Sequence, residues 1–393
     1  MGKELNVGLV GYIFMGKAHS HAYLDVAKFF PDIQAKPVMK AICGRNKAGV
    51  SAAAAQWGWQ SYETSWQDLV ARDDIDLIDI TAPSYVHGEI AIAAVEHGKH
   101  VLCEKPMAST LSEARQMLAA ARKAGVVHMV GFNYRRVPAI ALAWQMINSG
   151  LLGQIRHFRG TYLQDWIADP QFPMNWRLRK PVAGSGAHGD LNAHLIDTAR
   201  FLVGDITEVV GMGGTFIKER PKELSSGGLA AVAGEGTEEV TVDDATVFLA
   251  KFASCDRVAE GAYGTFEATR LAPGHKNYNR FEINGSEGSI SFCFERMNEL
   301  EYFDRREPAR LGGFRTIMVT EGDHPYAGAW WPPGHVIGYE HTFIHEVYDL
   351  ANAIGSGTPI HPDFLDGARC VAVLEAASAS LDAHAWVDVE RVD

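Results

Sequence analysis

Short apolar runs alternate with helical periodicity through the first third of the chain. The apolar runs have the length and composition of buried strands, at Asn6–Val10, Val38–Ile42, Leu77–Ile80, His100–Cys103 and Val126–Val130. Between them, apolar residues recur at helical spacing over Met15–Phe29, Ala48–Trp57, Tyr85–Glu96 and Leu111–Ala124. This alternation predicts a parallel sheet built from βαβ units.

The pattern changes after residue 130. Helices are predicted over Ala139–Asn148 and His188–Val203, with a strand over Ile155–Leu163 and a Trp- and Pro-rich loop between them. Strands without intervening helices follow, at Val209–Ile217, Ala245–Phe252, Glu260–Thr269, Asn279–Asn284 and Ser289–Phe294. Consecutive strands of this kind favour an antiparallel sheet. The closing elements are predicted as helices over Tyr339–Ile354 and Asp366–His384 and a short strand over Trp386–Val389.

We therefore predict an α/β domain, a Rossmann doubly wound parallel sheet, over residues 1–130. An α+β domain built on a large, mostly antiparallel open sheet is predicted over residues 131–393 and would bind substrate and form oligomers. Two segments break the pattern: Pro221–Thr237 is predicted as a surface excursion, and His324–Gly338 as a loop that covers a site.

Composition narrows the class of protein. The 393 residues exceed the roughly 250–300 that one core usually supports, which agrees with two domains. The chain has 36 Lys and Arg against 48 Asp and Glu, so 36 − 48 gives a net charge of −12. Without a basic tract, neither nucleic acid nor an anionic membrane is an expected partner. Five scattered cysteines and the absence of an export-signal pattern predict a cytoplasmic protein.

A glycine turn follows the first predicted strand and opens a helix. Gly11 would permit the tight turn, and Gly16 would permit close packing of the helix on the strand. The helix start offers N–H groups and a positive dipole end to a pyrophosphate. Ile13 replaces the middle glycine of the usual fingerprint, which weakens the motif. An ordinary strand-to-helix corner is the alternative.

The second strand ends in Cys43, Gly44 and Arg45, where NAD-binding proteins usually carry an acid that binds the ribose hydroxyls. Arg45 can meet a 2′-phosphate or stack on adenine. The sequence therefore favours NADP over NAD, with a solvated loop arginine as the alternative.

Two further sites carry candidate chemistry. Lys105 follows Glu104 at the carboxyl end of a parallel strand, the edge at which ligands bind in doubly wound sheets. Asp190, His194 and Asp197 have i, i+4, i+7 spacing, which places them on one stripe of a largely apolar helix. Polar groups on such a helix need partners or a binding cleft.

Together, these segments resemble the Gfo/Idh/MocA oxidoreductases, the family of glucose-fructose oxidoreductase, inositol dehydrogenase and levoglucosan dehydrogenase. The resemblance rests on motifs in the right order along most of the chain: Gly11–Ser20, Pro83–His87, Gly98–Pro106, Trp176–Arg177 and Asp190–Asp197. It implies that Lys105, Asp190 and His194 are catalytic. Ile13 and Asn192 depart from the family pattern and put the local backbone geometry in doubt.

The resemblance also implies a set of NAD(P)-binding positions. These are Gly11, Ile13, Phe14, Met15, Gly16, Gly44, Arg45, Pro83, His87, Glu104, Lys105, Asn133, Trp176 and Arg177.

The residue types suit hydride transfer from a secondary alcohol. An imidazole with a pKa near about 6.5 can take the alcohol proton at neutral pH. Asp190 could orient His194 or hold the substrate, and Lys105 could stabilise oxyanion charge or share the acid–base work. The sequence leaves open whether Lys105 or His194 accepts the proton.

Aromatic and amide side chains around these positions suit a ring that carries many hydroxyls. The predicted substrate contacts are Lys105, Tyr134, Gln164, Trp166, His188, Asp190, His194 and His335. Tyr134 has a domain linker as its alternative role. His19, Ser20 and His21 are predicted to be structural, and no spacing predicts a metal site.

We therefore predict an NAD(P)-dependent dehydrogenase or reductase of a pyranose sugar, anhydrosugar or cyclitol, acting as a homodimer or homotetramer. A glycosidase of the same family that uses transient oxidation is one alternative. A non-catalytic sugar or dinucleotide sensor is the other, although Lys105, Asp190 and His194 argue against it.

Overall fold

The computed structural model describes residues 3–227 and 230–393, and these form two compact units. The first unit contains the residues up to Asn133 together with Gly338–Val371 and Val392–Asp393. The second contains Tyr134–Ile337 and Ala372–Arg391. The predicted boundary at residue 130 lies close to the break after Asn133, but the prediction of one domain over residues 131–393 did not include the return of the chain to the first unit.

The elements of the first 133 residues alternate as the apolar pattern predicts. In chain order they are β1 (Lys3–Val10), α1 (Phe14–Phe29), β2 (Ala35–Cys43), α2 (Lys47–Trp57), β3 (Ser61–Glu63), α3 (Trp66–Val70), β4 (Leu77–Ile80), α4 (His87–Glu96), β5 (His100–Glu104), α5 (Leu111–Ala124) and β6 (His128–Gly131). The six strands pair in parallel in the order β3-β2-β1-β4-β5-β6. This is the Rossmann arrangement, and the predicted fold class of the first domain is confirmed.

The remaining elements contain most of the strands. They are α6 (Pro138–Asn148), β7 (Ile155–Leu163), α7 (Lys180–Ala183), α8 (Ala193–Leu202), β8 (Ile206–Gly214), β9 (Glu219–Gly227), β10 (Ala230–Glu239), β11 (Ala245–Phe252), β12 (Val258–Thr269), β13 (Tyr278–Gly285), β14 (Gly288–Cys293), β15 (Glu299–Asp304), β16 (Arg315–Met318), α9 (Tyr339–Ser356), α10 (Phe364–Ala383) and β17 (Val387–Asp388).

The large sheet of the second unit has nine strands in the order β16-β15-β14-β13-β7-β12-β11-β8-β17. Its pairs are antiparallel except β7 with β12, so the predicted large and mostly antiparallel sheet is confirmed. Phe158, Phe266 and Phe281 are buried on its covered face and pack on one another. Alternate residues of β11 are exposed, which leaves the opposite face open.

Helix α9 packs against α1 in the first unit. The ring of Phe343 lies 5.3 Å from the His19 imidazole, and Tyr348 stacks on Phe30 at 4.2 Å. These aromatic contacts explain why Gly338–Val371 belongs to the Rossmann unit. Such pairing joins residues more than 300 positions apart, and helical periodicity alone carries no information about it.

Two parts of the strand prediction differ from the structure. Most of Pro221–Thr237, predicted as a surface excursion, lies in β9 and β10, which pair as a separate antiparallel ribbon. The strands β15 and β16 were not predicted, and β16 is mostly exposed at the sheet edge, where apolar patterning is weak. None of the helices in the described ranges is long and apolar enough to cross a bilayer.

Candidate active site

The glycine turn has the shape that its position predicts. Gly11 has a φ of +110°, and a Cβ there would lie 2.6 Å from Thr81 Oγ1. A Cβ on Gly16 would lie 2.3 Å from the carbonyl oxygen of Gly11, so this position also excludes a side chain. Ile13 occupies the N-cap of α1 and supplies no side-chain acceptor to the first turn. The first-turn N–H groups therefore suit an anionic ligand, as a pyrophosphate requires.

Ile13 and Phe14 are exposed at this helix start, at 52% and 41%. An isoleucine fits here because the residue has φ −89° and needs no glycine conformation. The departure from the usual glycine therefore leaves the turn geometry intact. Met15, the next residue of the predicted set, is half-buried.

The loop after β2 packs on Tyr12. A Cβ on Gly44 would lie 2.2 Å from the Tyr12 ring, and a Cβ on Gly49 would lie 2.6 Å from its hydroxyl. Asn46 caps α2 by accepting a hydrogen bond from the Gly49 amide at 3.0 Å. Arg45 is exposed between these fixed residues. Gly44 is thus explained by Tyr12 packing.

Lys105 follows a buried charge network at the end of β5. Glu104 accepts a hydrogen bond from the Lys105 amide at 3.0 Å, and its other oxygen lies 3.1 Å from His19 Nε2. His19 Nδ1 lies 2.8 Å from Asp79, which also accepts a hydrogen bond from the Tyr23 hydroxyl. Burial disfavours a charged imidazole, but Asp79 and Glu104 outweigh burial and raise the pKa of His19 well above its usual value. The network fixes the backbone that carries Lys105.

His87 and Asn133, both predicted to bind cofactor, have partners inside the first unit. The ring nitrogens of His87 lie 3.0 Å from the Pro106 carbonyl and 2.8 Å from the Ala82 carbonyl. Burial lowers the pKa of His87, and the side chain is 1% exposed. It therefore holds the loops after β4 and β5 in place. Asn133 donates a hydrogen bond to Thr342 of α9 at 2.8 Å.

In the second unit, a π-helical turn over His188–Asn192 precedes α8. Two hydrogen bonds to Asp243, from the amides of Gly186 and His188, fix the entry at 2.7 Å each. The turn contains Asp190 and replaces the uniform helix that the sequence predicted. The π-helical turn changes the rotation per residue between Asp190 and His194 from the α-helical value that the sequence predicted.

His194 lies in an aromatic and polar cluster. Its imidazole stacks on Tyr134, with ring centroids 4.4 Å apart, and lies 5.9 Å from Tyr162. The two tyrosine hydroxyls share a hydrogen bond of 2.8 Å. The Asn277 side-chain oxygen accepts hydrogen bonds from Tyr162 at 2.6 Å and from Gln164 at 3.0 Å. This cluster brings together His194, Tyr134 and Gln164, all three of which the sequence predicted for substrate contact.

Asp197 does not join this cluster. Its carboxylate binds the Arg135 guanidinium at two points, 2.6 and 2.9 Å, and both side chains are buried. Arg135 also packs over the Phe201 ring at 4.9 Å. The third residue of the predicted stripe is therefore part of a structural ion pair.

A second group lies around Asp190. Arg270 Nη1 is 4.0 Å from an Asp190 carboxylate oxygen, and its guanidinium lies 5.9 Å from the Trp166 ring. Burial lowers the pKa of Arg177; Asp190 opposes this shift and Arg270 adds to it. Arg177 also packs over the neighbouring Trp176 ring at 4.5 Å. Asp190 thus lies among cationic and aromatic side chains.

Two predicted substrate contacts, His188 and His335, have hydrogen-bond partners of their own. His188 is 2% exposed, and its ring nitrogens lie 2.9 Å from the Leu374 carbonyl and 3.1 Å from Asn192. It therefore braces the start of α8, which corrects the prediction of a sugar contact. His335 is exposed on its loop and its Nδ1 lies 2.9 Å from the Pro332 carbonyl.

A third group of polar residues lies at the amino terminus of α10. Potential metal-ligating atoms of His361, Asp363 and Asp366 lie within 4.8 Å of one another. The two aspartates cap the helix reciprocally, each accepting a hydrogen bond from the other's amide. Helix capping accounts for these residues, and the absence of a metal site stays a prediction.

Sequence reasoning missed several members of these groups. Tyr162 and Asn277 lie on a strand and a loop with no motif around them, and Arg270 follows β12 as an isolated basic residue. Asp79 could have been noticed, because a carboxylate in the buried strand β4 needs a partner. His19 was predicted to be structural and lies buried beside that carboxylate.

Two family profiles match the chain. Residues 5–132 match the profile described as an oxidoreductase family with an NAD-binding Rossmann fold. Residues 140–291 match the GFO/IDH/MocA C-terminal domain.

Individual proteins match over the full length. Levoglucosan dehydrogenase of Pseudarthrobacter phenanthrenivorans is 45% identical over 396 residues, covering 99% of each chain. The structure of an oxidoreductase domain protein from Kribbella flavida has a TM-score of 0.92 at 50% identity, with complete coverage of both chains. A levoglucosan dehydrogenase in complex with NADH and levoglucosan has a TM-score of 0.92 at 44% identity, covering 99% of this chain and 100% of that one.

Proposed function

Because the chain belongs to the GFO/IDH/MocA family and is an NAD-dependent sugar oxidoreductase, we propose that its substrate is levoglucosan or a closely similar anhydrosugar. The observation that carries the proposal is the 45% identity to levoglucosan dehydrogenase over 99% of both chains. The reaction oxidises a secondary alcohol to a ketone, with the hydride passing to the nicotinamide and the hydroxyl proton to a side chain.

We assign the sugar-facing part of the substrate site to side chains of the second unit. The Tyr134 ring stacks on the His194 imidazole and both side chains are buried, so the stack orients the imidazole for a substrate. Gln164 and Asn277 present amide groups that can bind hydroxyls, and Trp166 adds a second ring.

The proposed catalytic roles follow from the chemistry of three side chains. His194 accepts or relays the alcohol proton, Asp190 holds the substrate, and Lys105 stabilises negative charge on the reacting oxygen. The buried Glu104 and His19 act as positioning residues for Lys105, since Glu104 binds its amide directly.

For the cofactor, we propose that the helix start at Gly11–Gly16 binds the pyrophosphate. Bound NAD supplies the hydride acceptor. The uncapped first turn of α1 and the bare backbone at Gly11 and Gly16 fit such a group. Pro83, His87, Asn133, Trp176 and Arg177 complete the proposed cofactor region, with His87 and Asn133 acting through the loops that they hold.

The choice between NAD and NADP rests on Arg45. An exposed guanidinium after β2, without a carboxylate at the strand end, can bind a 2′-phosphate. We propose that Arg45 lets NADP bind at least as tightly as NAD. Affinities for both cofactors in the wild type and in Arg45→Ala test this. The control is Lys36→Ala, which changes an exposed lysine on β2. An unchanged NADP/NAD ratio in Arg45→Ala contradicts the assignment.

The direct test of the substrate is a steady-state assay. The protein is mixed with NAD or NADP and with levoglucosan, glucose or myo-inositol, and the near-ultraviolet absorbance of the reduced cofactor is followed. We expect the highest kcat/KM with levoglucosan. Equal or higher values with glucose or inositol contradict the proposed substrate, and product release without net cofactor reduction would favour the glycosidase alternative.

We also propose that the chain forms a homodimer or homotetramer through the open face of the nine-stranded sheet. Met212, Val247, Leu249 and Tyr263 are between 41% and 66% exposed on adjacent strands, forming an apolar surface that favours association. Light scattering of the wild type and Leu249→Lys tests this, and a monomeric wild type contradicts it. The scattered cysteines support the proposed cytoplasmic location.

A further inference from the structure

We propose that Arg270 determines substrate specificity. Its guanidinium donates a hydrogen bond to one sugar hydroxyl, and the same hydroxyl donates a hydrogen bond to the Asp190 carboxylate. This inference rests on the proposed sugar substrate and extends it to a residue without any motif. The ligand class is a neutral polyol with a free hydroxyl at this position.

The first observation is the state of the Arg270 guanidinium. Its side chain is 2% exposed, and its Nε and Nη1 atoms have no hydrogen-bond acceptor among residues 3–227 and 230–393. A buried cationic donor without an acceptor is unfavourable, so a ligand or water is expected to occupy this position. The group is therefore a donor site that the rest of the protein leaves unfilled.

Arg220 provides a contrast in the same unit. It is also fully buried, and its Nε likewise has no acceptor among the described residues, but its terminal nitrogens donate to the backbone carbonyls of Ile167, Asp169 and Phe172 at 2.7 to 3.3 Å. Those contacts fix the loop between β7 and α7. The terminal nitrogens of a buried arginine in this unit can therefore be satisfied by backbone acceptors. Arg270 Nη1 has no such acceptor in the part of the chain that the structure describes.

The second observation is the distance to Asp190. The separation of 4.0 Å between Arg270 Nη1 and Asp190 is too long for a hydrogen bond. A hydroxyl oxygen placed about 2.9 Å from the nitrogen and about 2.7 Å from the carboxylate oxygen would subtend about 90° between them. That angle is open enough for one hydroxyl to accept from Arg270 and donate to Asp190.

This geometry selects a chemical group. A hydroxyl both donates and accepts, so it satisfies the cation and the carboxylate together. A ketone oxygen can only accept, and a carboxylate is repelled by Asp190. Trp166, 5.9 Å from the guanidinium, provides an apolar wall for the attached ring carbon. The side chain of Asp190 is 35% exposed, which leaves it reachable by a ligand.

A substrate-based double-mutant cycle tests the inference. The kcat/KM for levoglucosan and its three monodeoxy analogues is measured in the wild type, Arg270→Met and Arg270→Lys. We expect Arg270→Met to lower kcat/KM for levoglucosan on the order of ten- to a hundred-fold, through the loss of a hydrogen bond to a charged donor. With the wild type, one deoxy analogue should show a loss of kcat/KM of the same size relative to levoglucosan. With Arg270→Met, removal of the same hydroxyl should lower kcat/KM little further.

Arg220→Met is the matched control. It removes an equally buried arginine, so it should lower the thermal unfolding midpoint while penalising all four sugars equally. Arg270→Lys keeps the charge and serves where Arg270→Met fails to fold. Equal penalties for every deoxy analogue in wild type and Arg270 variants would overturn the inference.

Calorimetric titration of levoglucosan into the protein saturated with NADH separates the two proposals. A wild type that binds the sugar without oxidising it contradicts the proposed function, and weaker binding by the Arg270 variants would still support the inference. A wild type that oxidises levoglucosan, with Arg270 variants of unchanged binding and kcat/KM, contradicts the inference alone. A wild type that neither binds nor oxidises it overturns both.

Discussion

The His194 imidazole stacks on the Tyr134 ring, with centroids 4.4 Å apart and an angle of 29° between the planes. The Tyr134 hydroxyl is hydrogen-bonded to Tyr162 and Asn277, so the ring that orients the histidine is itself fixed by hydrogen bonds. A rotation of Tyr134 would change the direction of the imidazole. The geometry of His194 therefore depends on residues outside the predicted catalytic set.

Tyr134→Phe is predicted to lower kcat/KM about fivefold, because it removes the hydroxyl that hydrogen-bonds to Tyr162 and Asn277, worth about 1 kcal/mol, while keeping the stacked ring. The affinity for NADH should not change. Tyr302→Phe is the matched control, because Tyr302 lies on β15 and its hydroxyl accepts a hydrogen bond from Arg306. Equal effects of the two variants on kcat/KM would contradict a role for the Tyr134 hydroxyl.

The Arg135–Asp197 pair is predicted to stabilise the second unit. Asp197→Ala leaves a buried guanidinium unpaired and should lower the free energy of unfolding by about 3–5 kcal/mol. Glu208→Ala removes one partner of the exposed Lys251–Glu208 pair and should cost about 0–1 kcal/mol. Denaturant unfolding of both variants measures these changes, and a loss below that of Glu208→Ala would refute the structural assignment.

The His19 network predicts a pH-dependent stability. Because Asp79 and Glu104 raise the pKa of His19, the imidazole holds its proton more tightly in the folded state than in the unfolded state. Its stabilisation is fully present below the unfolded pKa of about 6.5 and is lost as pH rises through the folded pKa.

Thermal unfolding of the wild type and His19→Gln from acid to alkaline pH measures this effect. The stability difference should be about 3–5 kcal/mol where His19 is charged and should shrink as the pH rises. His97→Gln, which changes an exposed histidine at the end of α4, is the control and should show no such trend. A difference that does not vary with pH would exclude a charged His19.

The sequence was informative wherever local periodicity or a spaced motif carried the information. The Rossmann alternation, the antiparallel sheet and the family resemblance are confirmed. The π-helical turn at Asp190 was not predictable, because apolar spacing is similar in a helix with one added residue. Arg270 and Asn277 were missed because their neighbours in space are far away in sequence.

Histidines show the same limit most clearly. His188 and His194 stand six positions apart in one apolar segment, and both fit a substrate contact by sequence. In the structure, His188 faces a backbone carbonyl of α10, whereas His194 faces two tyrosines. The partners come from distant segments, so only the tertiary structure distinguishes the structural His188 from the candidate catalytic residue His194.

The central claim is that Lys105 and His194 act in the same hydride-transfer step. The most direct measurement is the single-turnover rate of NADH formation with saturating levoglucosan in Lys105→Ala and His194→Ala, with His97→Ala as control. We predict that each catalytic variant is about 10²- to 10⁴-fold slower, with a far smaller change in the dissociation constant for NADH. A wild-type rate in either variant would contradict the claim.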